Sequence, residues 1–116
     1  MRNSYRYLLI KYNGNVKTHV EHDGFDYEYY IPEKDMYIDV YNHWSHGNEP
    51  YEGKSYQMDI VKTWQQKDTP NYNEAVYNWT VKDVYKRKKA KEKGLNYKEF
   101  YDEETFKKWL EENNDK

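Results

Sequence analysis

Two strand-like runs joined by a short turn constrain this chain most. The runs Tyr27–Ile31 and Met36–Tyr41 are rich in tyrosine and β-branched residues, and Pro32–Asp35 separates them, which predicts a β-hairpin. Each run carries one acid near its middle, Glu28 in the first and Asp39 in the second. An ionised carboxylate is costly to bury unless a cation compensates it. The pair therefore predicts either a cation site, most simply for a divalent metal, or a strand edge whose acids face water.

Charge is distributed unevenly along the chain, although the net charge is only −2. Residues 21–59 contain ten acids against Lys34 and Lys54, whereas residues 80–98 contain eight Lys or Arg against Asp83 and Glu92. This separation predicts a basic helix that holds a phosphate backbone, or else a basic helix that is merely solvated. The candidate contacts to nucleic acid are Lys82, Lys86, Arg87, Lys88, Lys89 and Lys91.

Composition narrows the class of protein. A chain of 116 residues predicts one domain spanning residues 1–116, and the absence of cysteine excludes disulfides and thiolate zinc sites. Aromatic residues make up 19% of the chain, with fifteen Tyr and four Trp, so the predicted core is built largely from rings. No apolar run is long enough for a membrane span or a signal peptide, which predicts a soluble cytoplasmic protein without a membrane partner.

Local patterns predict an N-terminal antiparallel meander followed by helices. Strands are predicted at Ser4–Tyr12, Val16–His22, Tyr27–Ile31 and Met36–Tyr41. Helices are predicted at Lys54–Lys67 and from Thr80 to Gly94, with a short helix or a turn at Asn71–Asn78 between them. A strand at Leu95–Tyr101 and a last helix capped by Asp102 are predicted to follow.

The basic helix receives a more detailed prediction. Thr80 is the expected N-cap, with Asp83 at the third position as its capping partner. After Tyr85 the sequence KRKKAKEK has Ala90 as its only apolar residue, so this half is expected to project from the core.

Two segments of the chain resemble a known family. The stretch YEYYIPEKDMYIDVYNHWSHG resembles CDFYIPSLDLYIEXNXHWTHG of phage-encoded, very-short-patch-repair-like endonucleases of the PD-(D/E)XK type. The stretch AVYNWTVKDVYKRKKAKEKGLNYKEFY is similar to their nWTvrDvkKRxxAkxnxLNYlEFw segment. The resemblance covers roughly Asp26 to Leu110. It implies a restriction-endonuclease-like α/β (α+β) fold in which a mixed sheet from the meander is flanked by C-terminal helices.

The resemblance also implies roles for the two acids. Glu28 and Asp39 fall at the family's metal-binding acids, with Mg²⁺ (or Mn²⁺) as cofactor, although Asp and Glu are exchanged at both positions. Tyr41 stands where the motif has its lysine. Relatives usually begin with a helix that carries a glutamate, and the sequence of this chain predicts no such helix.

The loop at residues 42–53 carries the element HWSH, which matches the family's HW(T/S)H. The resemblance implies that His43 or His46 activates water or protonates the leaving oxygen, since histidine exchanges protons near neutral pH. His46 is the preferred candidate. The competing interpretation is that a histidine beside Trp44 serves packing.

The function implied by the resemblance is metal-dependent DNA endonuclease activity in the cytoplasm of an infected bacterial host. The alternative is a catalytically inactive nuclease-fold module that binds nucleic acid or inhibits a host protein. It is favoured by the absence of a predicted first helix, by the exchanged acids and by Tyr41 in the lysine position. A third interpretation is a structural α/β domain without either activity. A homodimer would allow both strands of a duplex to be cut, and the sequence leaves this open.

Overall fold

The fold is a four-stranded mixed sheet with helices on both faces, seen in a computed structural model that describes residues 2–112. The strands are β1 (Lys17–His22), β2 (Phe25–Ile31), β3 (Met36–Val40) and β4 (Tyr97–Phe100). The helices are α1 (Asn3–Lys11), α2 (Ser55–Lys67), α3 (Pro70–Tyr77), α4 (Asp83–Glu92) and α5 (Glu103–Glu112). A π-helical turn, Asn78–Lys82, joins α3 to α4 without a break, and short 3₁₀ turns lie at Pro32–Lys34 and Trp44–His46. The mixed α and β composition of the fold is as the sequence predicts.

The strands lie in the order β1-β2-β3-β4. The first three form an antiparallel meander, and β4 then joins β3 in parallel after the chain has crossed over through α2, α3 and α4. A parallel neighbour requires such a long connection, because the chain must return to the same end of the sheet. The predicted four-stranded antiparallel meander is therefore wrong in its first strand, and its other three strands are confirmed.

The first helix is the largest departure from the sequence prediction. The sequence predicts a strand at residues 4–12, but residues 3–11 form α1. The helix buries Ser4 and Leu8, and Tyr12, which caps its C-terminal end, is buried four residues further on. That spacing is the helical one, in which residues i and i+4 share a face. The buried face of α1 packs with α5 over one face of the sheet.

The main core lies between the sheet and the pair α1 and α5. Its buried members are Leu8, Tyr12, Tyr29, Ile31, Met36, Ile38, Val40, Phe100, Phe106 and Leu110. Asp102 caps α5 as predicted, since its carboxylate accepts a hydrogen bond from the Thr105 backbone N–H at 2.7 Å. No helix in residues 2–112 is both long and apolar enough to cross a membrane.

The opposite face of the sheet is covered by the continuous helix that runs from α3 to α4. Its buried positions, Ala75, Trp79, Asp83, Lys86 and Ala90, recur every three or four residues. Thr80 is therefore not an N-cap: its hydroxyl donates to the carbonyl of Val76 one turn earlier, at 2.6 Å. This helix brings two charged residues to the sheet, where they form part of the site described next.

Candidate active site

The two strands of the central hairpin separate at the acids. The β2–β3 ladder runs from Ile31 paired with Met36 to Tyr29 paired with Ile38, which brings Glu28 opposite Asp39. Beyond this pair, the carboxylates of Glu28 and Asp39 replace backbone carbonyls as the hydrogen-bond acceptors between the strands. The Glu28 N–H donates to Asp39 Oδ1 at 2.8 Å, and the Val40 N–H donates to Glu28 Oε1 at 3.2 Å. The two carboxylates that the sequence singled out thus converge, each bound to the backbone of the other's strand.

Asp39 is buried, with only 3% of its surface exposed, and it is surrounded by donors. Its Oδ2 lies 2.5 Å from the Lys86 ammonium and accepts from the hydroxyls of Tyr97 at 2.6 Å and Tyr41 at 3.2 Å. Burial, followed by the neighbouring Asp39 carboxylate, raises the pKa of both tyrosines far above that of free tyrosine. Both phenols therefore stay protonated and remain donors to Asp39.

Lys86 belongs to this cluster. Its ammonium also donates to the Asp26 carbonyl at 2.5 Å and lies 4.5 Å from the centre of the Tyr27 ring. The side chain is buried, so the prediction that this half of the basic helix projects from the core is wrong for Lys86. Buried lysines need such compensation, because desolvation of an ammonium is expensive. The Lys86 ammonium therefore lies beside Asp39, next to the Tyr41 hydroxyl that contacts the same carboxylate oxygen.

Glu28 is neutralised by a different cation, Arg2. Arg2, at the N-terminal end of α1, forms an ion pair with Glu28 and donates to the Val40 carbonyl at 3.1 Å. The same guanidinium lies 3.6 Å from Glu103. Arg2 and Lys86 together balance the two converging carboxylates.

His46 is held beside the carboxylates by a buried acid. Its Nδ1 lies 2.5 Å from Asp83 Oδ2, and its ring stacks on Tyr41 with centroids 4.1 Å apart. Asp83 is only 2% exposed. The prediction that Asp83 caps a helix is wrong, because the helix continues through it and turns its carboxylate toward the loop of His46. His43, by contrast, is exposed and accepts from the N–H of Ser45, two residues along its own loop.

These groups line one cleft of about 860 Å³. Both histidines and both hairpin acids line it, as do Lys82 and Lys86 from the continuous helix. An imidazole oriented by a carboxylate, a pair of converging carboxylates and a buried ammonium form a set suited to proton transfer and to the binding of cations or phosphate.

The remaining predicted nucleic-acid contacts lie elsewhere on α4. Arg87 donates to Glu99 at 2.6 Å and to the Tyr101 hydroxyl at 3.0 Å, so its guanidinium is engaged within the protein. Lys89 is paired with Glu92 at 3.5 Å. Lys88 and Lys91 are exposed to solvent. Of the six cations, Lys82 and Lys86 reach the cleft.

The donor set bears on the expected metal. Residues 2–112 contain no group of three or more His, Asp or Glu side chains placed to hold a metal ion. Mg²⁺ is commonly held by one or two carboxylates together with water and substrate phosphate, and Glu28 and Asp39 provide that donor set. Both carboxylates are thus oxygen donors of the type that Mg²⁺ or Mn²⁺ takes, but each is paired with a cation of the protein, Glu28 with Arg2 and Asp39 with Lys86. A metal ion would displace Arg2 from Glu28 more easily than Lys86 from Asp39, because the Arg2 side chain is 39% exposed and that of Lys86 is 8% exposed.

The sequence interpretation missed the inward placement of Asp83 and Lys86 and the part played by Arg2. A signal for the first two was present. Trp79 and Ala90 are the apolar ends of a helical stripe whose intermediate positions are occupied by Asp83 and Lys86. No comparable pattern marks Arg2, whose contact depends on how α1 sits against the sheet.

No protein-family model, curated protein or solved structure matches this chain significantly. The class that the fold and cleft define is therefore a small α+β domain with a carboxylate, lysine and histidine site at the open end of a hairpin.

Proposed function

We propose that this protein is a metal-dependent DNA endonuclease with a restriction-endonuclease-like fold. The observation that carries the proposal is the convergence of Glu28 and Asp39 from neighbouring strands, in a cleft that also holds Lys86 and His46. Acids on opposite faces of the sheet would have removed the basis for shared cation binding. The resemblance to phage-encoded very-short-patch-repair-like nucleases supports the same assignment.

The order of elements also supports the proposed fold. A helix precedes three antiparallel strands, and a helical crossover through α2, α3 and α4 then leads to a parallel strand. The sequence had predicted no helix before the first strand. α1 occupies that position, although its sequence NSYRYLLIK lacks the glutamate that relatives carry there.

Glu28 and Asp39 would hold Mg²⁺ or Mn²⁺ in this proposal. When bound, such an ion polarises a phosphoryl group and lowers the pKa of water. Lys86 offsets negative charge at the buried Asp39 and at phosphate oxygens that enter the cleft. Tyr97 and Tyr41 fix the Asp39 carboxylate by hydrogen bonds.

His46 is the proposed general base. Its Nδ1 faces the Asp83 carboxylate, which favours the tautomer with the proton on Nδ1 and leaves the Nε2 lone pair free. Nε2 then accepts a proton from the attacking water. Asp83 positions the ring and stabilises the imidazolium that forms, and stacking on Tyr41 restricts its rotation.

Plasmid nicking tests the proposal. Wild-type protein is expected to nick supercoiled DNA with Mg²⁺ and to lose activity in EDTA, while Asp39→Asn and Glu28→Gln should lower the rate at least about 100-fold. Asp59→Asn, an exposed acid on α2, is the matched control and should keep full activity. Mg²⁺ should also raise the melting temperature of the wild type but not of Asp39→Asn. The assignment is refuted if nicking proceeds equally well in EDTA, or if neither Asp39→Asn nor Glu28→Gln lowers its rate.

A second candidate is an inactive module with the same fold. The observation that favours it is the neutralisation of both acids by Arg2 and Lys86 within the protein itself. Salt-dependent DNA binding, with no cleavage under Mg²⁺ or Mn²⁺ and no change on Asp39→Asn, would select this function over the nuclease.

A further inference from the structure

A row of exposed apolar side chains borders the cleft. Tyr77, Val81 and Tyr85 follow one another at four-residue intervals along the continuous helix, and each is about half exposed, at 56%, 49% and 50%. All three line the same cleft as Glu28 and Asp39. Four-residue spacing puts them on one helical face. The row contributes nothing to the main core, and the proposed chemistry does not use it.

The two phenol rings are accessible rather than packed away. Among residues 2–112, the Tyr77 ring has no aromatic contact. The Tyr85 ring touches Phe25 with centroids 5.7 Å apart, and half of its surface remains open. Tyr77 and Tyr85 lie eight residues apart along a helix that includes the π turn, so they are separated by roughly 10–12 Å and present two separate platforms.

Cations accompany the rings. Lys82 follows Val81 directly, is exposed and lines the cleft between the two tyrosines. The Lys89 ammonium lies 5.5 Å from the centre of the Tyr85 ring, one turn further along the helix. Alternating aromatic faces and cations suit a ligand that alternates flat rings with negative charges, which is the repeat of a nucleic acid strand.

We propose that Tyr77 and Tyr85 are stacking platforms for unpaired bases, so that the preferred substrate is single-stranded DNA or the single-stranded arm of a branched duplex. The inference rests on the proposed function and deepens it by naming the substrate class. Relaxed duplex DNA is disfavoured, because the faces of its bases are already covered by their neighbours, whereas supercoiled plasmid exposes unpaired bases where the duplex opens locally. Lys82 holds the phosphates that join the two stacked bases, and the strand continues past the carboxylates of the same cleft.

Binding without metal tests this inference separately from catalysis. Fluorescence anisotropy with a labelled oligothymidylate in EDTA and low salt should show tighter binding than to a duplex of the same length. Tyr77→Ala and Tyr85→Ala should each weaken oligothymidylate binding about five- to tenfold, within the range measured for a base stacked on an aromatic residue. Binding to the duplex should change by less than about twofold, because phosphate contacts are retained.

Two variants control for other effects. Tyr85→Phe keeps the ring and should bind within about twofold of wild type, which separates stacking from any loss of folding. Tyr56→Ala removes a tyrosine of equal exposure on α2, outside the cleft, and should leave binding unchanged.

The inference is overturned if the Tyr77→Ala, Tyr85→Ala double variant binds oligothymidylate like wild type, if both DNA forms are weakened equally, or if the wild type binds neither. Stronger binding to RNA of the same sequence, or self-association through this row, would also overturn it. If the stacking variants behave as expected while Asp39→Asn has no effect on nicking, the proposed nuclease fails and the binding surface stands. If nicking depends on Asp39 but binding ignores both tyrosines, this inference alone fails.

Discussion

Replacing Lys86 by methionine tests whether the cluster around Asp39 is held by charge. The substitution keeps an unbranched apolar stem and removes the ammonium, which lies 2.5 Å from Asp39 Oδ2. Both side chains are nearly buried, at 8% and 5% exposure, so solvent screens the interaction little. Loss of one partner leaves a buried carboxylate without its cation.

The expected destabilisation is about 3 kcal/mol. Breaking a buried ion pair from one side typically costs about 3–5 kcal/mol. The low end applies here, because Asp39 keeps the hydroxyls of Tyr97 and Tyr41 and the N–H of Glu28. Asp39→Asn should cost less than Lys86→Met, because the ammonium retains the Asp26 carbonyl and the Tyr27 ring.

A double-mutant cycle in urea, followed by tryptophan fluorescence, measures the coupling. The double variant Asp39→Asn, Lys86→Met should be more stable than the two single effects added together by at least about 1.5 kcal/mol. Lys88→Met removes an exposed lysine from the same helix and should change stability by less than about 0.5 kcal/mol. The reasoning is refuted if Lys86→Met costs no more than Lys88→Met, or if the coupling energy falls below about 0.5 kcal/mol.

Two further predictions concern stability. Gly47→Ala should lower the free energy of unfolding by about 2–4 kcal/mol, because a Cβ there would overlap the buried indole of Trp79 and because the backbone φ is +73°. Gly14→Ala, at a similar φ of +83° with open space around it, should lose only about 1–2 kcal/mol, and equal losses in urea would contradict the packing argument. Burial raises the pKa of Tyr27 and of Tyr29 to about 12, so their protonated forms stabilise the fold fully below pH 10 and this contribution is lost as pH rises toward 12. Tyrosinate absorbance should therefore rise in two stages, the second with unfolding, and a single transition near pH 10 in folded protein would contradict the expected shift.

The hairpin could be predicted from the sequence because several local signals agree there. Both runs are rich in tyrosine and β-branched residues, each contains a single acid, and Pro32 opens the turn between them. The structure confirms both strands and brings Glu28 opposite Asp39. Residues that stand opposite each other in a hairpin share a face of the sheet, so the convergence of these two acids follows once the turn sets this register.

The first segment could not be assigned in the same way. Residues 4–12 satisfy both periods, since Tyr5, Tyr7 and Leu9 alternate while Ser4 and Leu8 repeat at helical spacing. The choice between them depends on α5, which is distant in sequence and provides the surface that α1 covers. Tertiary contacts of this kind override local propensity, and no window of nine residues contains them.

Asp83 and Lys86 show why the number of charged residues in a helix does not predict which of them are buried. A basic run is usually solvated, and residues 86–93 contain seven charged side chains around Ala90. An α-helix returns to the same face after about 3.6 residues, so the inward position after Trp79 falls midway between Lys82 and Asp83. A π turn takes up more residues than an α turn, and the one at Asn78–Lys82 turns Asp83 inward toward His46 and leaves Lys82 on the cleft wall. Three residues later Lys86 falls on the same inward face, beside Asp39. The segment that composition marks as solvent-exposed therefore supplies both the acid that orients the histidine and the cation that neutralises the hairpin.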